Sequence, residues 1–266
     1  MKIRFYANLE KPEAAECAAA LSTRARELGL KPVERGAADA VVALGGDGTI
    51  LRAVHEFPET PVLGFNLGGL GYLAAVGRDD FESALAALAE GRFSVAERRM
   101  LKVEKAGASA AVALNDVVLS REMSGRSVRI DLSADGREVT SYLADGLIFA
   151  TPTGSTAYSL SAGGPVLLPD SSCLVVVTPM NPHALGVRPI VIRDDVRFVA
   201  VARARTPGNP VRIGVYADGA LAMEMGEGDS VSVSRADVSA RFVELEGYDP
   251  YDVLARKLGW SGSSVK

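Results

Sequence analysis

The chain has 266 residues and little of what most readily announces a function. It holds two cysteines, Cys17 and Cys173, far apart and in no CxxC pair. That argues against a disulfide scaffold or a zinc site and fits a reducing compartment. Two histidines, His55 and His183, are too few and too distant in sequence to suggest a metal cluster. Aromatic residues make up only 6% of the chain, so packing must lean on Ala, Val and Leu. No run approaches the length of about 18 apolar residues that spans a bilayer. The first ten residues, MKIRFYANLE, lack the apolar centre of a signal peptide. The expectation is a cytoplasmic protein with no membrane partner. An excess of positive charge is also missing. The formal net charge is -4, which disfavours a general nucleic-acid surface. No GxxxxGK[ST] phosphate loop and no internal repeat occur anywhere.

What is present is ordinary soluble composition, with 48% hydrophobic and 23% charged residues. The first 95 or so residues alternate strand and helix patterns. Lys2 to Asn8 alternates as a strand. Pro12 suits a first helical turn, and the Ala-rich segment after it runs to Gly29, a helix stop. Asp39 to Leu44 is a short, continuously apolar strand, as expected when both faces are covered. Pro61 to Phe65 reads as the next strand. Asp79 with Glu82 predicts a helix cap before Phe81, Leu85 and Leu88. Such alternation points to a mainly parallel sheet.

Near Arg98 the pattern changes to short β-rich runs, among them Ala110 to Leu119, Val128 to Ser133, Gly146 to Ala150, Cys173 to Thr178 and Val211 to Ala217. The fold predicted is an N-terminal Rossmann-like α/β domain, residues 1–97 plus about 246–266, and a β-sandwich-like domain, residues 98–245. A terminal helix through Val253, Leu254 and Leu258 returns to the first domain, anchored by Trp260. The last residues, SGSSVK, read as disordered.

The first motif is Gly45-Gly46-Asp47-Gly48-Thr49, at the carboxyl end of a strand and before a helix. Glycines there let phosphate approach the backbone N–H groups, and the helix adds its partial positive end. Gly45, Gly46, Gly48 and Thr49 are the candidate phosphate-binding residues. An aspartate beside phosphate needs a role. Asp47 could accept a hydrogen bond from an attacking hydroxyl or help hold Mg²⁺, or simply cap the helix. The segment Gly69-Leu-Gly71-Tyr72-Leu-Ala74 fits a loose GxGxxG/A but lacks the acidic residue of a Rossmann site. GGDGT is shared by NAD kinases, by lipid kinases acting on diacylglycerol or sphingosine, and more loosely by phosphofructokinases. It supports phosphoryl transfer without naming the acceptor.

Further stretches name it. They are Asn66 to Leu73, Leu114-Asn115-Asp116, Asp145 to Pro165 with its core Thr156-Ala157-Tyr158-Ser159-Leu160-Ser161, Thr178 to His183, Arg188-Pro189, Asp218-Gly219 and Lys257 to Trp260. Together, in this order, they resemble the ATP-NAD kinase family over nearly the whole chain. Their chemistry suits a dinucleotide. Asn115 can donate to and accept from an adenine edge. Asp116 and Asp145 can accept from ribose hydroxyls or an amide. Thr156, Ser159 and Ser161 supply small hydroxyls, Gly154 and Ala157 leave room at the backbone, and Tyr158 can stack on a ring.

The resemblance implies transfer of the γ-phosphoryl of ATP to the 2′-hydroxyl of the adenosine ribose of NAD, with a divalent cation, Mg²⁺ by preference, on the triphosphate. It implies Asp47 as proton acceptor, and an NAD site formed by Asp47, Gly48, Arg52, Tyr72, Asn115, Asp116, Arg126, Asp145 and the run Thr156 to Ser161. It also implies a homodimer or homotetramer, and a pocket between the two domains. No metal ligand is assigned. Two departures stand out: Asp116 where Glu is usual, and Ala220 after Asp218-Gly219 where some relatives have Gln. His55 and His183 read as surface or structural residues. The competing readings are a lipid kinase, for which no basic amphipathic helix is evident, and a non-catalytic NAD(P)-sensing module, against which Asp47 speaks.

Overall fold

The computed structural model describes residues 1–7, 12–68, 71–74, 76–121, 127–171, 173–205 and 211–259. Arg126, Trp260 and the tail 261–266 lie outside them, as do Gly69 and Leu70 of the second glycine-rich segment. The chain divides into two compact units, residues 1–97 with 240–266 and residues 98–239.

The first unit is α/β. Strand β1 (Lys2–Ala7) leads through α1 (Pro12–Glu27) and the short β2 (Lys31–Pro32) to β3 (Ala40–Leu44), α2 (Asp47–Glu56), β4 (Val62–Phe65) and α3 (Phe81–Glu90). The strands run parallel in the order β2-β1-β3-β4. Every residue of β3 and β4 is buried, which is why their sequences are unbroken apolar runs rather than alternating ones. Ile3, Val42, Leu44, Leu63, Phe65, Phe81, Leu85 and Leu88 form the core, with Phe65 and Phe81 stacked 4.4 Å apart. At the start of α3 the expected Asp79/Glu82 cap is replaced by a 3-10 turn, Arg78–Asp80, and Asp80 makes no side-chain capping bond. The 3-10 turn closes its own backbone hydrogen bond, from Asp80 N–H to Gly77, so the capping side chain is not needed.

The second unit is antiparallel β. It takes in β5 (Phe93–Glu104, from Arg98 on), β6 (Ala111–Ala113), β7 (Asp116–Arg121), β8 (Val128–Ala134), β9 (Arg137–Ala144), β10 (Gly146–Ala150) and α4 (Tyr158–Ser161). Then follow β11 (Leu174–Met180), β12 (Ile190–Arg193), β13 (Phe198–Arg203), β14 (Ile213–Ala217), β15 (Ala220–Met225) and β16 (Ser230–Leu245), whose last residues belong to the first unit. One sheet holds β16-β13-β8-β9 with β5 and β6; the other runs β12-β11-β10-β7-β14-β15. A single core lies between them, built from alternate residues of both, such as Leu147 and Phe149 of β10 and Phe198 of β13. The other face of β10, Ile148 and Ala150, is buried against Val118, Val176 and Met180. Burial on both faces explains the continuous apolar run GLIFA. Strands β5, β9 and β15 were not predicted, because their charged and small residues interrupt the apolar pattern. The predicted run from Ala110 to Leu119 is two strands, interrupted at Leu114 and Asn115.

The closing helix α5 (Pro250–Leu258) belongs to the first unit. Asp249 accepts the Tyr251 N–H at 2.8 Å, Pro250 fills the first turn, and Gly259 ends the helix in a left-handed conformation at φ 66°.

Candidate active site

Each unit gathers one group of the residues singled out by sequence. In the first, the turn after β3 delivers Asp47 into the first turn of α2, with Gly46 as N-cap. No side chain caps this helix, so its first N–H groups are left for another acceptor. Asp47 is not the cap. Its carboxylate reaches away from its own helix and accepts the N–H of Tyr72 at 2.7 Å and of Leu73 at 3.0 Å. Gly71 makes that possible, since a Cβ there would stand 2.1 Å from an Asp47 oxygen. Gly45 is required in the same way: a Cβ would meet the Oγ1 of buried Thr49 at 2.4 Å. Gly46 and Gly48 are exposed. Asn66 accepts the Gly68 N–H at 3.0 Å and so shapes the start of the segment that holds Asp47. Arg52 is exposed, and its charge is felt by the phenol of Tyr6.

A residue not assigned from sequence joins this group. The ammonium of Lys257, on α5, lies 5.2 Å from the centre of the Tyr72 ring. Burial pushes its pKa down to about 8, opposed by the charge of Asp47 and helped by Arg256. In sequence Lys257 reads as a cation in the last turn of a helix, where lysines are favoured anyway. It opens the stretch Lys257 to Trp260 that carries part of the family resemblance, but that stretch assigns it no role.

In the second unit, Leu114, Asn115 and Asp116 sit beside the turn that follows β10. Thr151 donates its N–H to the Asn115 carbonyl at 2.9 Å and its hydroxyl to the Leu114 carbonyl at 2.6 Å. Gly154 packs directly on Asn115, where a Cβ would be 2.0 Å from the carbonyl oxygen. The room left by Gly154 is therefore taken by this chain's own backbone, not by a ligand. Asp218 organises the group. Its carboxylate accepts the N–H groups of Leu114 and Asn115, both at 2.7 Å, and of Asp116 at 3.3 Å. This capture breaks the predicted strand into β6 and β7. Asp218 and Gly219, at φ 47° and 81°, form the two-residue turn of the β14–β15 hairpin. An Asp-Gly pair between strand-like runs signals such a turn in sequence, though not the carboxylate's long-range role.

Asp116 is 5% exposed and its carboxyl is pushed up to about 7, first by burial and then by the charge of Asp218; a hydrogen bond from the Tyr158 N–H acts the other way. Tyr158 itself is 47% exposed, so its ring is not a core residue and stands available for stacking. Thr156, Ala157 and Leu160 are half-buried and Ser161 is exposed. Ser159 is fully buried, with its hydroxyl 2.8 Å from that of Thr178.

Asp145 is not brought into this group. In the register of β7 and β10, Ala150 pairs with Asp116 while Gly146 pairs with Ser120. Asp145 therefore lies at the far end of the strands, about 17 Å away along five extended residues. There it accepts from Arg121 at 2.7 Å and Asn181 at 3.1 Å, and the Arg121 hydrogen bond lowers its pKa. His183 is exposed nearby, with Nε2 2.5 Å from the Ser127 hydroxyl.

Comparison with known proteins bears on the whole chain. The pattern of the ATP-NAD kinase N-terminal domain matches residues 2–93, and that of the ATP-NAD kinase C-terminal domain matches residues 114–245. A NAD kinase of Symbiobacterium thermophilum is 44% identical over 229 residues, which cover 84% of this chain and 79% of that protein. A NAD kinase of Moorella thermoacetica is 36% identical over 288 residues, covering 98% and 90%. Among solved structures, yeast NADH kinase complexed with NADH superposes with a TM-score of 0.87 at 24% identity, covering 99% of this chain and 88% of that one. A NAD kinase from Archaeoglobus fulgidus in complex with ATP superposes with a TM-score of 0.80, also at 24% identity, covering 98% and 100%. At that identity the structures speak for the fold. The two matched domain patterns and the sequence relatives carry the assignment: the chain belongs to the ATP-NAD kinase family.

Proposed function

We propose that this protein is a NAD kinase that moves the γ-phosphoryl of ATP to the 2′-hydroxyl of the adenosine ribose of NAD, yielding NADP. One observation carries the reading. The Asp47 carboxylate is fixed by two backbone N–H groups beside the uncapped N-terminus of α2. Each of its oxygens keeps a lone pair for a hydroxyl. The helix end and the glycine turn supply donors for phosphate.

The reaction needs little covalent help from the protein. The 2′-oxygen bonds to the γ-phosphorus while the bond to the β,γ-bridging oxygen breaks. ADP leaves with that electron pair, and the hydroxyl proton passes to Asp47. A loose transition state calls for proton removal late, so Asp47 serves first to orient the hydroxyl. Dinucleotide recognition is assigned to the second unit: Asn115 and Asp116, held by Asp218, with Thr156, Ala157, Tyr158 and Ser161. Asp116, neutral below about pH 7, can donate as well as accept.

A divalent cation, Mg²⁺ by our reading, belongs with the triphosphate. Among the described residues no three His, Cys, Asp or Glu side chains gather to cage a metal. Bound with ATP, the cation would neutralise phosphate charge. Among the described residues no helix is long and apolar enough to cross a membrane. Cytoplasmic location, from cysteine usage and the lack of a signal-like or membrane-spanning run, and a homodimer or homotetramer, by family, complete the proposal.

The test is NADP formation from NAD, ATP and Mg²⁺, with Asp47→Asn as control. Turnover by the wild type and not by the variant supports the reading. Tight NAD(P) binding with no turnover would replace the enzyme by a sensor.

A further inference from the structure

Helix α5 turns Val253 and Leu254 into the core of the first unit. Lys257 follows them by four and three residues and so shares their inward face. A lysine on such a face normally snorkels to water. This one does not. Its Nζ is closed off from solvent and has no hydrogen-bond partner among the described residues. It stands 5.2 Å from the centre of the Tyr72 ring, within cation–π range. The N–H of the same Tyr72 donates to Asp47. Asp47 and Lys257 thus flank one residue and feel each other's charge, yet no ion pair ties them together.

A buried ammonium with no acceptor among the described residues is costly, and a bound anion can supply what is missing. The ligand here is anionic and close to Asp47. The sequence has no phosphate-loop lysine, and a loose phosphoryl-transfer transition state spreads charge over three oxygens. An ammonium with three donors meets that need as a point charge.

We propose that Lys257 is a catalytic residue whose ammonium donates to the oxygens of the phosphoryl group in flight between ATP and the hydroxyl held by Asp47. The proposal rests on the kinase reading. Lys257 gives up no proton and forms no bond; bond making and breaking are those already described. With its pKa at about 8, the side chain is mainly cationic at neutral pH. The competing role is a plain anchor for α5 on Tyr72.

The experiment uses the full chain as wild type, Lys257→Met and Lys257→Arg. Binding of Mg-ATP and of Mg-ADP is measured by calorimetry, alongside NADP formation and ligand-free thermal unfolding. Lys257→Met is expected to weaken ATP about tenfold to hundredfold, the scale of a lost charge-assisted hydrogen bond, with ADP little changed. It should lower kcat by about a hundredfold or more and leave the ligand-free Tm equal or higher. Lys257→Arg should recover part of the preference for ATP. Equal weakening of ATP and ADP overturns the proposal. So does a lowered Tm with ATP affinity and kcat kept, which is the signature of an anchor. A wild type that forms no NADP defeats the kinase reading alone, because the ATP-over-ADP preference is read without turnover.

Discussion

Asp47 of the first unit and Asp116 of the second are both drawn into the fold, and their surroundings differ in sign. Asp47 lies at the end of a parallel strand, beside a helix N-terminus, two backbone N–H groups and the ammonium of Lys257. Asp116 lies at the start of an antiparallel strand, 5% exposed and facing the carboxylate of Asp218. The first setting presents hydrogen-bond donors, and so suits phosphate and holds the Asp47 carboxylate in place. The second disfavours negative charge, and so suits a neutral carboxyl that recognises a ligand by hydrogen bonds. Glycine-rich turns in α/β units offer donors because the helix leaves N–H groups free. In the β unit the carboxylate of a hairpin turn, Asp218, instead takes up the N–H groups of Leu114, Asn115 and Asp116.

The largest effect that could break this contrast is on turnover. Asp47→Asn keeps the shape and removes the proposed proton acceptor, so kcat should fall by about 10²- to 10⁴-fold with NAD affinity nearly kept. Steady-state kinetics with equilibrium NAD binding decide it; near-normal kcat would make Asp47 a merely structural carboxylate.

The next test concerns the sign at Asp116. Its pKa is 3.8 in the unfolded chain and about 7 in the folded one. Between those values the folded protein holds a proton that the unfolded chain has lost. Stability therefore falls as pH rises from about 4 to about 7, and the loss is complete above that. Asp116→Asn should remove this slope. Relative to the variant, the wild type should lose on the order of 2–4 kcal/mol between pH 4 and pH 8, read by urea unfolding. An identical pH profile for both proteins would show that Asp116 is ionised throughout.

Asp218→Asn sharpens the same comparison. It removes the like charge and weakens three hydrogen bonds to the Leu114–Asp116 backbone. A stability loss of roughly 2 kcal/mol is expected above pH 7, with the wild-type pH midpoint moved to lower pH. The smallest effect is at Tyr158. Replacing this exposed ring by Ala should leave unfolding within about 0.5 kcal/mol and raise the KM for NAD about tenfold through lost stacking.

Much of this architecture is legible in the residues. The apolar run AVVAL followed by GGDGT marks a buried strand, a tight turn and a helix start, because each is decided within a few residues. The run GLIFA likewise marks a strand covered on both faces. The Asp79/Glu82 cap was misread for the opposite reason: a 3-10 turn closed its own hydrogen bond at Gly77, and sequence pattern does not weigh that competitor. Strands β5, β9 and β15 escaped because their partners, not their own pattern, hold them in place.

The sequence by itself determined the family and the two kinds of unit, and it singled out Asp47 as the candidate reacting carboxylate, since local turn chemistry and motif order are written in neighbouring residues. Only the tertiary structure decided what surrounds the carboxylates. Asp218 reaches backbone groups 102 to 104 residues away, Lys257 arrives on the last helix beside Tyr72, and strand register sends Asp145 to the end opposite Asp116. Charge acts through space, and residues far apart in sequence have no position relative to one another until the strands are paired and the helices packed.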